Sequence, residues 1–103
     1  MKKAFATITL FDRENGGRRV AVPVTQFKCP LFFKDIKELS HHGYDCRMLV
    51  NEYGKEIKPG ETADNVPITF LSSHEVFLFI KEGTEFDIWE MGIIGKGIIK
   101  SII

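Results

Sequence analysis

Residues 3–11 alternate with a period of two: Ala4, Ala6, Ile8 and Leu10 fall on one side of an extended chain, Phe5, Thr7, Thr9 and Phe11 on the other. Both rows carry apolar or β-branched groups, so a strand here is covered at least in part on each face. Residues 44–50 repeat the pattern, with Tyr44, Cys46, Met48 and Val50 sharing a side, and shorter apolar runs follow at 66–71, 76–80 and 86–89. The segment 93–103 holds six isoleucines and two glycines, Gly95 and Gly97, which favours a last strand with a barrel corner or bulge over a helix. Residues 27–33 are rich in aromatics, but Pro30 cannot donate to a ladder and marks a short, half-paired strand. An eighth segment, 18–24, puts Val20, Val22 and Val24 on one face, with Pro23 placing it at an edge.

The separators between these segments are turn formers. Residues 12–17 end in two glycines that permit positive φ and a reversal. Asn51 to Gly54, and Pro59 with Gly60, bracket a charged stretch expected to be an exposed connection. Asp35 and Glu38 have capping-box spacing, which predicts one or two helical turns held by Ile36 and Leu39 and closed at Gly43. An open sheet with apolar side chains on both faces leaves adhesive edges, and closure removes them. Six to eight short strands about ten residues apart therefore predict an all-β, closed antiparallel barrel or sandwich. The 103 residues suit one domain, residues 1–103.

Fourteen basic residues balance fourteen acidic ones, so no global field draws the chain to nucleic acid or an anionic membrane. Cys29 and Cys46, with no secretory h-region and no apolar run of about 18 residues, point to a reduced cytoplasmic protein with buried thiols and no membrane partner. No Gly-x-x-x-x-Gly-Lys-Ser/Thr loop occurs, so GTP is not expected to bind by that motif. Cys29, His41, His42 and Cys46 lack zinc-ligand spacing. Cys46 is expected to be a small buried hydrophobe, not a nucleophile paired with His74. Asp35, Glu38 and Asp45 are too scattered for an acid and base pair. The expectation is a protein without metal, cofactor or catalytic site.

Consecutive large apolar residues cannot both fill a barrel interior, because alternate side chains point out. Among Phe32, Phe33, Phe77, Phe79, Trp89, Ile93 and Ile94, some must lie outside. Phe32, Phe33, Trp89, Ile93 and Ile94 are the candidates for an exposed apolar docking face.

Five motifs occur in the order found in the carboxy-terminal, third domain of elongation factor Tu. Glu14-Asn15-Gly16-Gly17-Arg18-Arg19 resembles its Glu-Gly-Gly-Arg-His turn, and Phe27-Lys28-Cys29-Pro30-Leu31-Phe32-Phe33-Lys34 its aromatic strand. Pro59-Gly60-Glu61 is similar to a Pro-Gly-Asp turn, and residues 82–92 to Glu-Gly-Leu-Arg-Phe-Ala-Ile-Arg-Glu-Gly-Gly. Residues 95–103 resemble the family's Gly-Ala-Gly-Val-Val-Thr-Lys-Ile-Ile end. The resemblance spans nearly the whole chain and implies a six-stranded antiparallel barrel that, in the family, meets the tRNA T-arm, the GTPase domain and the exchange partner.

Carried over residue by residue, it makes Gly16, Gly17, Arg18, Arg19, Glu90 and Gly92 candidates for contact with a partner or RNA. Lys2 and Lys3 are possible companions of Arg18 and Arg19 in a phosphate-binding patch, against the simpler reading of a solvated turn. Pro30 stands where the family has its tRNA-facing glutamine, Asp35 where it has a threonine, and Met91 where it has a glycine. These changes favour a non-catalytic binding module acting through a protein partner or self-association. The alternatives are a small tRNA-binding accessory of translation and a toxin-neutralising mimic of the factor.

Overall fold

In the computed structural model, which describes residues 2–103, six strands close into an antiparallel barrel. They are β1 (Ala4–Leu10), β2 (Gln26–Phe32), β3 (Tyr44–Leu49), β4 (Thr62–Phe70), β5 (Glu85–Trp89) and β6 (Ile93–Ile102), and their order around the barrel is β1-β4-β3-β2-β5-β6. The two-residue alternation sets the inside. Ala4, Ala6, Ile8 and Leu10 are buried, while Phe5, Thr7 and Thr9 lie between core and solvent. Leu31, Ile68, Ile88 and Ile99 complete an apolar interior that contains no buried polar residue among those described.

Small residues set how closely the strands approach. A Cβ at Gly97 would stand 2.3 Å from the Phe86 ring, so this glycine seats the ring instead of marking a bulge. Register shifts mark bulges at Phe5/Ala6 in the β1–β6 pair, at Ala6/Ile8 in the β1–β4 pair, and at Ile88/Trp89 in the β5–β6 pair, where Ile88 faces Gly95 as expected of that glycine. The β2–β5 ladder is short, with only Leu31 opposite Ile88 and Phe32 opposite Asp87. Pro30, next along β2, has no N–H to extend it, as its place in the sequence predicts.

Several expectations are corrected. Residues 18–24 form no strand: Val22 alone bridges, to Ile57, and Val20 and Val24 are exposed instead of sharing its face. Pro23 removes a donor, and its carbonyl accepts from Thr25 N at 2.8 Å in a tight turn. The same bridge buries Ile57, so the supposedly exposed connection contributes to the core. After β3 the chain makes one helical turn, α1 (Val50–Tyr53), and β4 starts at Thr62, ahead of the expected Val66.

Residues 76–80 are not extended either. A helical turn, α2 (Ser73–Val76), leads into them, and the two buried positions, Val76 and Ile80, are four apart on one helical face. The capping box does not form. The 3-10 turn Lys37–Leu39 has Ile36 at its N-cap without a side-chain hydrogen bond, although Leu39 is buried and Ile36 packs on the core as expected. A single turn is too short for a reciprocal cap to govern its start.

Candidate functional site

The Gly16, Gly17, Arg18 loop and the β5–β6 hairpin meet at one end of the barrel. After β1, the 3-10 turn Arg13–Asn15 is capped by Asp12, whose carboxylate accepts from Asn15 N at 2.9 Å and Asn15 Nδ2 at 2.8 Å. Gly16 then takes the left-handed conformation at φ 90°. Gly17 is required for a different reason, since its Cβ would lie 1.9 Å from the Phe11 carbonyl oxygen. These glycines build the turn.

The turn delivers Arg18 across the barrel end. Its guanidinium lies 4.8 Å from the Phe27 ring centroid, and Nη1 approaches Glu90 Oε2 at 3.4 Å. Arg18 is thus neutralised and stacked, which disfavours a phosphate contact. Arg19 is exposed among Asp12, Arg13, Glu14, Glu56 and Lys58, a mixed-charge surround. The cationic patch with Lys2 and Lys3 does not assemble. Lys3 pairs with Glu52 at 2.8 Å and Lys2 lies over Phe77, at the other end of β1, on the order of 20 Å away at strand rise.

On the hairpin, Glu90 N donates to the Gly92 carbonyl at 2.7 Å, and the turn between them forces positive φ at both Met91, 54°, and Gly92, 135°. Glycine adopts such a conformation without cost, whereas methionine is held there against the usual steric preference of L-residues. Met91 is 94% exposed, and Trp89 and Ile93, opposite each other across the strands, are 40% and 45% exposed. An apolar tip therefore projects into solvent beside the Arg18–Glu90 pair.

Two of the predicted outer residues are inside. Phe33 is 1% exposed, on the inward row with Leu31, and its ring meets those of Tyr44, Phe70 and Phe86 at centroid distances of 5.9–6.4 Å. Ile94 is 4% exposed because its neighbour Ile93 takes the outward position. Phe32 is half-buried and lies over Gly43, where a Cβ would come within 2.9 Å of its ring. The exposed Leu71, Leu78, Val20 and Met91 were absent from the candidates; only Met91, replacing a glycine between Glu90 and Gly92, carried a signal that could have found it.

A groove of about 330 Å³ runs over the outer face of β1, β2, β5 and β6. Within it Lys34 Nζ lies 2.6 Å from Asp87 Oδ2, an oxygen cut off from solvent that has no other partner. The bond to Asp87 raises the Lys34 pKa, so the lysine stays charged and cannot act as a base near neutrality. No cluster of three or more potential metal ligands gathers among the described residues, and no helix there is long and apolar enough to cross a membrane.

Two other groups hold their protons more tightly than usual. Cys46 is raised by its hydrogen bond with Cys29 and then by burial, and Tyr44 by burial and then by donating to Glu75 at 3.1 Å. A folded-state pKa above the unfolded value means that the folded state binds more protons between the two values. Its stabilisation is present below the unfolded value and lost as pH rises through the folded one. Urea midpoints should therefore decline once pH passes 9.0, the ordinary thiol value, and further beyond 10.0 and 10.5, those of tyrosine and lysine. A midpoint unchanged from neutrality to about pH 11 would refute these assignments.

No known family model matches the chain, and no curated protein is similar to it.

Proposed function

We propose that this chain is a non-catalytic binding module that acts in the cytoplasm through protein contacts, made by the apolar tip of the β5–β6 hairpin. The observation that carries this reading is Met91, kept in a left-handed conformation at an exposed position between Trp89 and Ile93. Strain of this kind persists where something other than stability maintains it, and aromatic and methionine side chains are typical anchors of interfaces. The resemblance to the third domain of elongation factor Tu adds support, since that domain works by docking. The internal pairing of Arg18 with Glu90 favours a protein over RNA as the partner.

The test compares the full chain with Met91→Gly and Trp89→Ala. Met91→Gly should raise the unfolding free energy by about 1 kcal/mol, because glycine relieves the left-handed strain. Both variants should weaken capture of the partner protein, or self-association measured by sedimentation, by roughly tenfold or more. Recovery of RNA alone by the wild-type protein, with no protein and no self-association, would overturn the proposal.

A further inference from the structure

Cys29 and Cys46 lie directly opposite each other on β2 and β3, and their Sγ atoms are 3.8 Å apart. Both are free thiols in the core. Directly opposed residues of an antiparallel pair have Cα atoms about 4.5–5.5 Å apart. A disulfide spans about 4.4–6.8 Å between Cα atoms, so the backbone already meets its requirement. Closing the sulfurs to about 2.05 Å needs side-chain rotation, not strand movement.

We propose that Cys29 and Cys46 form a redox-active dithiol, which a peroxide converts to a cross-strand disulfide. The proposal stands apart from the docking reading, because the thiols occupy the inward row and not the hairpin tip.

The chemistry proceeds in two displacements. Cys29 Sγ attacks one peroxide oxygen; an S–O bond forms, the O–O bond breaks, and the departing hydroxide leaves as water with the thiol proton. Cys46 Sγ then attacks the resulting sulfenic sulfur, forming the S–S bond while the S–O bond breaks and a second water departs. Two thiols and one peroxide become one disulfide and two waters. Both sulfurs lose an electron and the peroxide gains two.

Access decides the rate. Thiolates, not thiols, are the fast nucleophiles, and Cys46 is held protonated by its hydrogen bond with Cys29 and by burial. Reaction therefore waits on local opening. The barrel has a place for this: the β2–β5 ladder ends at Leu31, Pro30 follows without an N–H, and Cys29 is the next residue along. Cys29 thus takes the first oxidising equivalent at the least-paired seam, and Cys46 resolves it from the neighbouring strand.

Met91 supplies an internal clock, since an exposed methionine converts to sulfoxide whether or not the barrel opens. The folded full chain is treated with graded hydrogen peroxide, remaining thiols are blocked with N-ethylmaleimide, and digested peptides are mapped by mass. A peptide joining Cys29 to Cys46, about 2 Da lighter than its two parts and abolished by dithiothreitol, is the expected product by the exposure that converts Met91. In Cys29→Ser the Cys46 thiol should stay alkylatable at that exposure. No joined peptide when Met91 is fully converted, joining only after unfolding in urea, or equal loss of the Cys46 thiol in the serine variant would each overturn the proposal. If Cys29→Ser does not fold, the wild-type map decides alone.

Discussion

Phe33→Ala should lower the unfolding free energy by about 3–5 kcal/mol, the cost of an emptied aromatic site in a packed core. Domains of this size have about 5–15 kcal/mol in total, so the variant is expected to be largely unfolded at moderate urea concentrations. The cause is geometric. Phe33 is almost wholly buried, and three aromatic rings pack around it, that of Phe86 edge-on at 6.0 Å. None of them can collapse into the space without disturbing its own strand. Urea titration followed by Trp89 fluorescence and circular dichroism provides the measurement, with Phe32→Ala as the comparison because that ring is only half-buried. A loss below about 1 kcal/mol would show that Phe33 does not centre the core.

The second large effect is expected at Gly17, where alanine should cost about 3 kcal/mol, the upper end for forced overpacking. Its Cβ would stand 1.9 Å from the Phe11 oxygen and 2.6 Å from that of Asp12, both main-chain atoms that no rotamer change can move aside. Gly16→Ala is the informative partner. No atom lies within 4 Å of its Cβ, so only the left-handed φ of 90° opposes substitution, at about 1 kcal/mol. Denaturant midpoints should place Gly17→Ala well below Gly16→Ala. The reverse order would mean that conformation, not space, dictates the double glycine. Gly17→Ala should also loosen Arg18 from Phe27 and Glu90, since the turn is what aims that side chain.

Sequence pattern was most legible where one residue type performed one task. β1 could be read because its inward row is unbroken, and the weak seam at β2 because proline has a single chemical deficit, no N–H. It failed where two periods fitted the same letters. Val76 and Ile80 satisfy an extended row of alternate residues and a helical spacing of four, and the turn after Ser72 selects the helical one. Val20, Val22 and Val24 alternate like a strand, yet no ladder is available to them beyond the one bridge to Ile57.

The docking candidates divided by parity. In the pairs Phe32 with Phe33 and Ile93 with Ile94, one member had to face out, but composition does not say which. Strand register decides it, turning Phe33 and Ile94 inward. Gly16, Gly17, Arg18, Arg19, Glu90 and Gly92 were grouped by the resemblance, and a turn and a hairpin at the same barrel end bring Arg18 to Glu90. Their chemistry was not legible, since the Arg18–Glu90 pairing depends on a contact between residues 72 apart.

Lys3 and Ile103 exchange backbone hydrogen bonds at 3.4 and 2.9 Å, and Ala4 lies opposite Ile102. The hairpin tip begins at Ile93, nine strand residues away along β6, or roughly 30 Å. Lys3 and Ile103 therefore share the pole opposite Met91. A tether, a reporter or a surface attachment on that side keeps the opposite pole unobstructed.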